Sequence, residues 1–379
     1  MNVASVTSMM IVFVFAGLIL VHGLIHLLGP AKAFHWTELP QLTHAISPVV
    51  GGLWLLAALL FVATAVSLIV WPRWWWILGA CGVAVSMLVI VPSWSDAKVG
   101  AFANAIVLLG VLFGFLSQGP FSLRAAYDQD LASRVVAFAD PALVSDADLA
   151  HLPAIVQRYL RAAGVVGQPR VRNYRVTMHG RIRSGRDSRW MPFAAEQYNF
   201  VDPPARLFYL NASMFGIPVQ GYHRYAGSSA SMRVKAAALI PVATAEGSQM
   251  TQSETVTLFN DMCLMAPATL VDRAVEWEGV DEHRAKAHFT NTGRTIRAEL
   301  VFDGEGRLTD FVSDDRYQSS PDGTMKRVRW STPTAGSRRF GAVRLSSGGE
   351  GRWHEANGEY AYIELTIDSV HYNVRRPFN

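Results

Sequence analysis

The sequence predicts two unlike parts. A membrane bundle of four α-helices comes first; a mainly-β domain follows, in which a curved antiparallel sheet forms a half-barrel with covering helices. Three observations predict this. Charge is split: Lys32, Glu38, Arg73, Asp96 and Lys98 are the only charged residues before Arg124, and 59 more follow. The chain average of 17% charged residues is below the roughly 25% of a globular domain, and the split accounts for the deficit. After Gly164 the hydropathy alternates with period two, the pattern of strands with one apolar and one wet face. Turn-forming residues recur along that stretch without strand–helix alternation, which argues against a parallel nucleotide-binding sheet. Cys81 and Cys263 lie one in each part and make no disulfide framework. The composition excludes a simple soluble enzyme, a disordered chain and a disulfide scaffold.

The domains are expected at 1–120 for the bundle, 121–150 for a connector and 151–379 for the β domain. Charge-free windows cover residues 9–29, 39–72, 74–95 and 99–123. Each reaches the ~20 residues a helix needs to cross ~30 Å of hydrocarbon. Pro40, His44 and Pro48 make the start of the second window loop-like, which places its helix near 46–71. The turn Trp71-Pro72-Arg73-Trp74-Trp75-Trp76 carries the indoles expected at a membrane–water interface. Ala31-Lys32-Ala33 has the form of a cleavage site, but no Lys or Arg precedes the first apolar run, so the helix is expected to be retained. The protein is thus expected in the cytoplasmic (inner) membrane as a multi-pass chain. Arg73, Arg124 and Arg134 against Lys32 and Lys98 leave the side of the β domain open.

The connector reads as weakly helical over 123–138, with a further helix over 146–163 in which Pro153 falls early. The strands that follow present Tyr174, Val176, Met178 and Ile182 on one face, then Phe289, then Ile296, Leu300 and Phe302, then Ile363, Leu365 and Ile367. Turn signals include Ser184-Gly185, Asp202-Pro203-Pro204, Asn291-Thr292-Gly293, Pro321-Asp322-Gly323 and Asn357-Gly358. About eleven strands in a mostly up-and-down meander are expected, interrupted by a helix near 251–265. A sheet this long must curl. Only the helices at 146–163 and 251–265 are available to cover its apolar face, so that face is expected to line a lipid cavity. A barrel filled by its own side chains is the alternative.

A helix, a curved meander, a mid-sheet helix and more meander resemble the LolA-like lipoprotein-sorting fold, whose concave apolar face holds acyl chains. Pro204-Ala205-Arg206, Ala212-Ser213-Met214-Phe215-Gly216, the run from Glu254 to Asp261, and Ser313-Asp314-Asp315-Arg316 also resemble an uncharacterised bacterial family. That family joins four membrane helices to such a domain. The resemblance covers residues ~150–379, implies the fold and implies no established function.

His22 and His26 are four apart and share a helix face, a spacing that can hold a metal ion or haem. Ser86 and Asn104 come out at a similar membrane depth. The same histidines can instead bond neighbouring helices, and no carboxylate lies deep enough to complete an ordinary metal set. No cofactor is otherwise expected. Glu254 and Asp261, seven apart, share one side of the mid-sheet helix and either line the cavity mouth or face solvent. Asp314 and Asp315 point to opposite faces of a strand and cannot share a proton, whereas Asp314 and Arg316 share a face and are expected to pair. Arg181, Arg183, Arg186 and Arg189 gather around a hairpin turn, a patch suited to anionic lipid headgroups rather than nucleic acid. No nucleophile elbow, P-loop or Cys-x-x-Cys occurs. The expected role is non-catalytic binding or transfer of a lipid or lipidated ligand near the membrane, with protein partners unknown. A membrane redox or metal-dependent enzyme centred on His22 and His26, and a structural or partner-binding module, are the alternatives.

Overall fold

The computed structural model describes residues 3–40, 42–319 and 323–377; the expected turn at Pro321 and Asp322 lies outside them. The chain divides into two compact units, Met1–Ala125 and Ala126–Asn379.

The first unit is helical: α1 (Val3–Ile25), α2 (Leu28–Ala33), α3 (Pro48–Val70), α4 (Trp75–Ile90) and α5 (Trp94–Gln118). α3 starts where Ser47 caps it, its hydroxyl accepting from Val50 N at 3.4 Å with Pro48 in the first turn. Small residues let the first helices approach the third. A Cβ on Gly29 would meet the Trp54 ring at 2.2 Å, and one on Gly51 would meet Ala33 Cβ at 2.3 Å. Three stretches, Met9–Ala33, Pro48–Val70 and Trp94–Ala132, are long and apolar enough to cross a membrane. The expectation of a full-length fourth span is corrected in the length of α4. α4 has 16 residues and rises about 24 Å, short of the ~30 Å of hydrocarbon. Its window was charge-free over 22 residues, but the chain turns at Trp74 and again after Val91 instead of continuing the helix.

The second unit opens with α6 (Leu123–Ala132), which begins in the first unit, then α7 (Asp146–Leu149) and α8 (Ala154–Ala163). The helix expected over 146–163 is therefore two. Pro153 caps α8 instead of sitting inside one helix, because a proline disfavours helical backbone in the residue before it. Gly164, at φ 77°, ends α8 in the left-handed region. The helix expected over 123–138 stops at Ala132.

A meander follows: β1 (Asn173–Ile182), β2 (Met191–Val201), β3 (Pro204–Met214), β4 (Ile217–Ala226), β5 (Ser229–Ala236) and β6 (Ile240–Glu246). Then come α9 (Ser248–Met265), a short 3-10 helix (Pro267–Val271), β7 (Val275–Gly279), β8 (Arg284–Asn291), β9 (Arg294–Phe302) and β10 (Leu308–Ser313). Short strands β11 (Tyr317–Ser319), β12 (Met325–Arg327), β13 (Arg329–Ser331), β14 (Thr334–Ala335), β15 (Arg338–Phe340) and β16 (Val343–Leu345) lead to β17 (Gly348–Glu355) and β18 (Gly358–Tyr372). The eleven expected strands are thus 18 among the described residues, because the chain between 317 and 345 is broken into short pairs.

One antiparallel sheet holds most of them, in the order β6-β5-β4-β3-β2-β1-β18-β17-β13-β10-β9-β8-β7. The sheet is open, with β6 and β7 as its edges. Its two meander flanks meet where β18 pairs with β1, so the last strand of the chain lies mid-sheet. α9 touches β5 and β6 on one flank and β9 and β10 on the other, which requires the sheet to curve around it. Fourteen of the 18 residues of α9 are buried. Its buried hydroxyls are satisfied locally: Thr251, Ser253, Thr255 and Thr257 each donate to the carbonyl four residues earlier. Phe259 stacks on Phe289 at 5.0 Å and meets Phe311 edge-on at 5.7 Å. The core of the unit is this concave face closed by α8 and α9.

The convex face is not uniformly wet, as the alternation suggested. On β3 and β4 it is covered by α6, whose Tyr127 lies against Tyr209 and Tyr222 with ring centres 5.5 and 5.7 Å apart. Asp130 accepts from Tyr222 OH at 2.7 Å and from Arg224 Nε at 3.0 Å.

Candidate functional site

Inward positions on β2 and β3 carry polar groups where the register calls for apolar ones. On β2, Gln197 and Asn199 continue the inward row of Phe193 and Ala195; on β3, Arg206 heads the row of Phe208, Leu210 and Ala212. All three polar groups are buried and turn to α9. Arg206 donates through Nε to Asp261 Oδ2 at 2.7 Å, through Nη1 to Glu254 Oε2 at 3.1 Å, and through Nη2 to Gln197 Oε1 at 3.0 Å. Asp261 Oδ2 also accepts from Gln197 at 2.8 Å and Asn199 at 3.2 Å, and Asn199 donates to Tyr174 OH at 2.8 Å. His223 Nδ1 lies 3.6 Å from Glu254 Oε1.

The position of Glu254 and Asp261 at a cavity mouth or on a solvated face is corrected: they are 1% and 3% exposed. Seven residues set them on one side of α9, as expected, but the sheet wraps that side. Burial works against the ionised form of Glu254, yet Arg206, and after it His223, hold its carboxyl down to about 2. Asp261 is pushed up, by burial first, with Arg206 opposing the rise. Two carboxylates thus share one guanidinium in a dry site, a geometry in which removing the cation strands both.

Beside this cluster lies a cleft of about 450 Å³, within the roughly 300–1,000 Å³ of small-molecule sites. Its lining is mixed: Phe200, Leu258, Met262, Val271 and Phe289 are apolar, Tyr174 and Asn199 bring the cluster to its surface, and Arg170, Arg172, Asp202 and Asp272 carry charge. A second cleft of about 400 Å³ lies between α8 and the loops around Leu308 and Leu345. Of the expected lipid-facing residues, Tyr174 and Phe289 line the first cleft. Val176, Met178, Ile296, Leu300, Phe302 and Ile367 are buried in the core, and Ile182, Ile363 and Leu365 pack half-buried against it.

The expected Asp314–Arg316 pair does not form. Strand geometry ends at Ser313, so the alternation that put the two on one face no longer applies. Asp314 lies 3.6 Å from Arg329 Nη1, and Arg316 stacks over Trp330 at 4.1 Å and Trp353 at 5.5 Å. Asp315 is the buried member, accepting from Arg297 N at 2.7 Å and from Arg327.

In the helical unit, His22, His26, Ser86 and Asn104 come together and are buried. His26 lies in the turn after α1 rather than on the helix. His26 Nδ1 is 2.9 Å from the His22 carbonyl, which can only accept, so the proton sits on Nδ1 and Nε2 accepts from Ser86 Oγ at 2.7 Å. Ser86 accepts from Asn104 Nδ2 at 2.8 Å, and His22 Nε2 donates to Asn104 Oδ1 at 2.9 Å. The chain of donors closes on itself and ties the end of α1 to α4 and α5. The two imidazoles stand edge to face with centres 4.7 Å apart. Among the described residues no group of three or more His, Cys, Asp or Glu side chains could hold a metal ion.

A family model described as a family of unknown function, DUF6544, matches residues 142–365, more than half of the chain. The chain belongs to this family. No curated protein matches it. Three crystal structures are similar to this DUF6544 member. One is assigned to an outer membrane lipoprotein-sorting protein domain from Vibrio parahaemolyticus: 10% identity, TM-score 0.33, 54% of this chain and 87% of that one. A DUF1329 family protein from Desulfovibrio piger is 11% identical with a TM-score of 0.34, over 60% of this chain and 95% of its own. A LolA superfamily protein from Nitrosomonas europaea is 11% identical with a TM-score of 0.29, over 59% and 94%.

Gln197, Asn199 and His223 were given no role from the sequence, and Arg206 entered only within a segment that carries the family resemblance. The available signal was register: polar residues on the apolar parity of β2 and β3.

Proposed function

We propose that the β unit binds a lipid or lipidated ligand, without catalysis, close to the membrane that its apolar helices enter. The observation that carries this reading is the cleft of about 450 Å³, whose lining sets Phe200, Leu258, Met262, Val271 and Phe289 beside Arg170, Arg172, Asp202 and Asp272, a size and a mixture of apolar and polar groups that a small-molecule site can have. An acyl chain would lie along Phe200, Leu258, Met262 and Phe289, with its polar end toward Arg170 and Arg172. The test uses the full chain in lipid nanodiscs and a photoactivatable fatty acid, with crosslinks mapped by mass spectrometry. Crosslinks are expected at Met262 and Phe289, lost in Val271→Trp, which fills the cleft, and retained in Glu299→Lys on the opposite face of β9. Crosslinks confined to residues before Gln118 would sink the proposal.

A further inference from the structure

Nine large apolar side chains are exposed among the described residues of the β unit, and six of them sit at two neighbouring hairpin tips. Met214, Phe215 and Ile217 form the β3–β4 tip; Leu239, Ile240 and Val242 form the β5–β6 tip. Pairing of Val219 with Ala236, and a 2.8 Å bond from Ala237 N to the Pro218 carbonyl, hold the two tips side by side. Phe215 is 75% exposed and takes φ 54° ahead of Gly216. That left-handed position suits Asn or Gly, and a bulky ring there is an outlier the fold itself does not need. The β1–β2 tip at the same end is basic: Arg183, Arg186 and Arg189 surround one acid, Asp187. Arg189 lies over the Phe215 ring at 5.3 Å, and Arg183 over Trp190 at 4.5 Å. With Lys235, residues 183–190, 214–218 and 235–243 carry a net charge of +3. The neighbouring acids are already held: Glu355 by Arg186 and Glu359 by Arg352.

We propose that these three tips dock on the interfacial layer of an anionic bilayer, the apolar side chains entering the headgroup region and Arg189 and Lys235 binding acidic lipid. The surface combines an apolar wedge with a basic rim, the composition that binds such membranes. Pro241 within the edge strand β6 lacks the N–H that a partner strand would need, which disfavours strand addition by another chain. The bilayer is the one that receives the chain's own apolar helices. The chain leaves α5 at Gln118 and enters the β unit by Ala126, and so short a tether keeps the β unit at high local concentration near that surface. Docking is independent of what the cleft binds.

The full chain is reconstituted in phosphatidylcholine vesicles containing about 30% phosphatidylglycerol, an anionic surface of the kind that attracts basic segments. The background is Cys81→Ser, Cys263 being buried, and an environment-sensitive fluorophore is placed at Leu239→Cys or, as a control on a different turn, at Val280→Cys. Both positions are exposed, and far-UV circular dichroism checks that each labelled variant is folded. Quencher-bearing lipid in the protein's own vesicles is expected to quench the label at 239 and spare the label at 280, while a water-soluble quencher gives the reverse. Arg189→Ser and Lys235→Ser are each expected to weaken docking roughly fivefold, and pure phosphatidylcholine to abolish most of it. Equal access of the aqueous quencher to 239 and 280 overturns the proposal. So does quenching at 239 only by lipid in separately added vesicles, or a label at 239 shielded from both quenchers, which would mark a protein partner. Loss of acyl crosslinking in the cleft with tip quenching intact would sink the lipid-ligand reading alone.

Discussion

Arg206 is the residue on which the β unit's interior electrostatics turn. Its guanidinium bonds Glu254 and Asp261 at 3.1 and 2.7 Å with all three side chains buried. Arg206→Met is expected to destabilise the protein at neutral pH by about 3–5 kcal/mol, the cost of leaving buried charge without its partner. The sign of its pH dependence is specific. In the native protein Glu254 is depressed to about 2, so its contribution is present above its ordinary value near 4.5 and is lost as pH falls toward 2. Without Arg206, burial raises both carboxyls, and their contribution is then lost as pH rises through the raised values. The difference between variant and native protein should therefore shrink between pH 7 and pH 5. Thermal unfolding by tryptophan fluorescence at both values checks this, and a constant difference would contradict it. Adding Glu254→Gln and Asp261→Asn to the variant should recover much of the loss. None of this was legible from residue types alone: Glu254 and Asp261 looked like a solvated helix face because α9 mixes polar and apolar residues all round, and only a sheet wrapped around the helix buries every side.

At the scale of elements, the strands were legible and the helix limits less so. β8 and β9 show strict alternation, buried Ala285, Ala287 and Phe289 against exposed Arg284, Lys286 and His288, and their pattern alone fixes which face is inward. The helix over 146–163 was overextended because apolar spacing carries through Pro153, while the backbone does not. Depth counting did bring His22, Ser86 and Asn104 to one level, and the closed donor chain they form with His26 leads to a prediction. Asn104→Leu removes the acceptor of His22 and the donor to Ser86 together, and is expected to cost about 1–2 kcal/mol, the scale of interhelical bonds in membranes. The full chain in detergent should melt earlier, with metal content unchanged. A stoichiometric metal that disappears in Asn104→Leu would instead place a metal centre at the two histidines.

For the whole molecule, charged residues become frequent from Arg124 onward and the compact units meet at Ala125 and Ala126. What composition misjudged was length: a charge-free window includes the turns at its ends, so α4 came out shorter than its window. Whether α4 crosses is decided by reporter fusions after Lys32 and after Arg124. α4 packs along both α3 and α5, and a helix a few ångströms short is accommodated by local thinning at modest cost. The two reporters are expected on opposite sides; the same side for both would leave three crossings.

The first cleft and the apolar hairpins lie at opposite ends of the same strands. β2 runs from Met191 beside the tips to Val201 in the cleft lining, 11 residues and so roughly 35 Å of extended chain. That is several times the screening length of about 8 Å at physiological ionic strength. With the tips in a lipid surface, the charge of that surface is invisible at the cleft. The rate at which a charged ligand loads should then follow the cleft's own Arg170, Arg172, Asp202 and Asp272 and the salt in the bulk solution, and stay the same whatever headgroups the protein stands on.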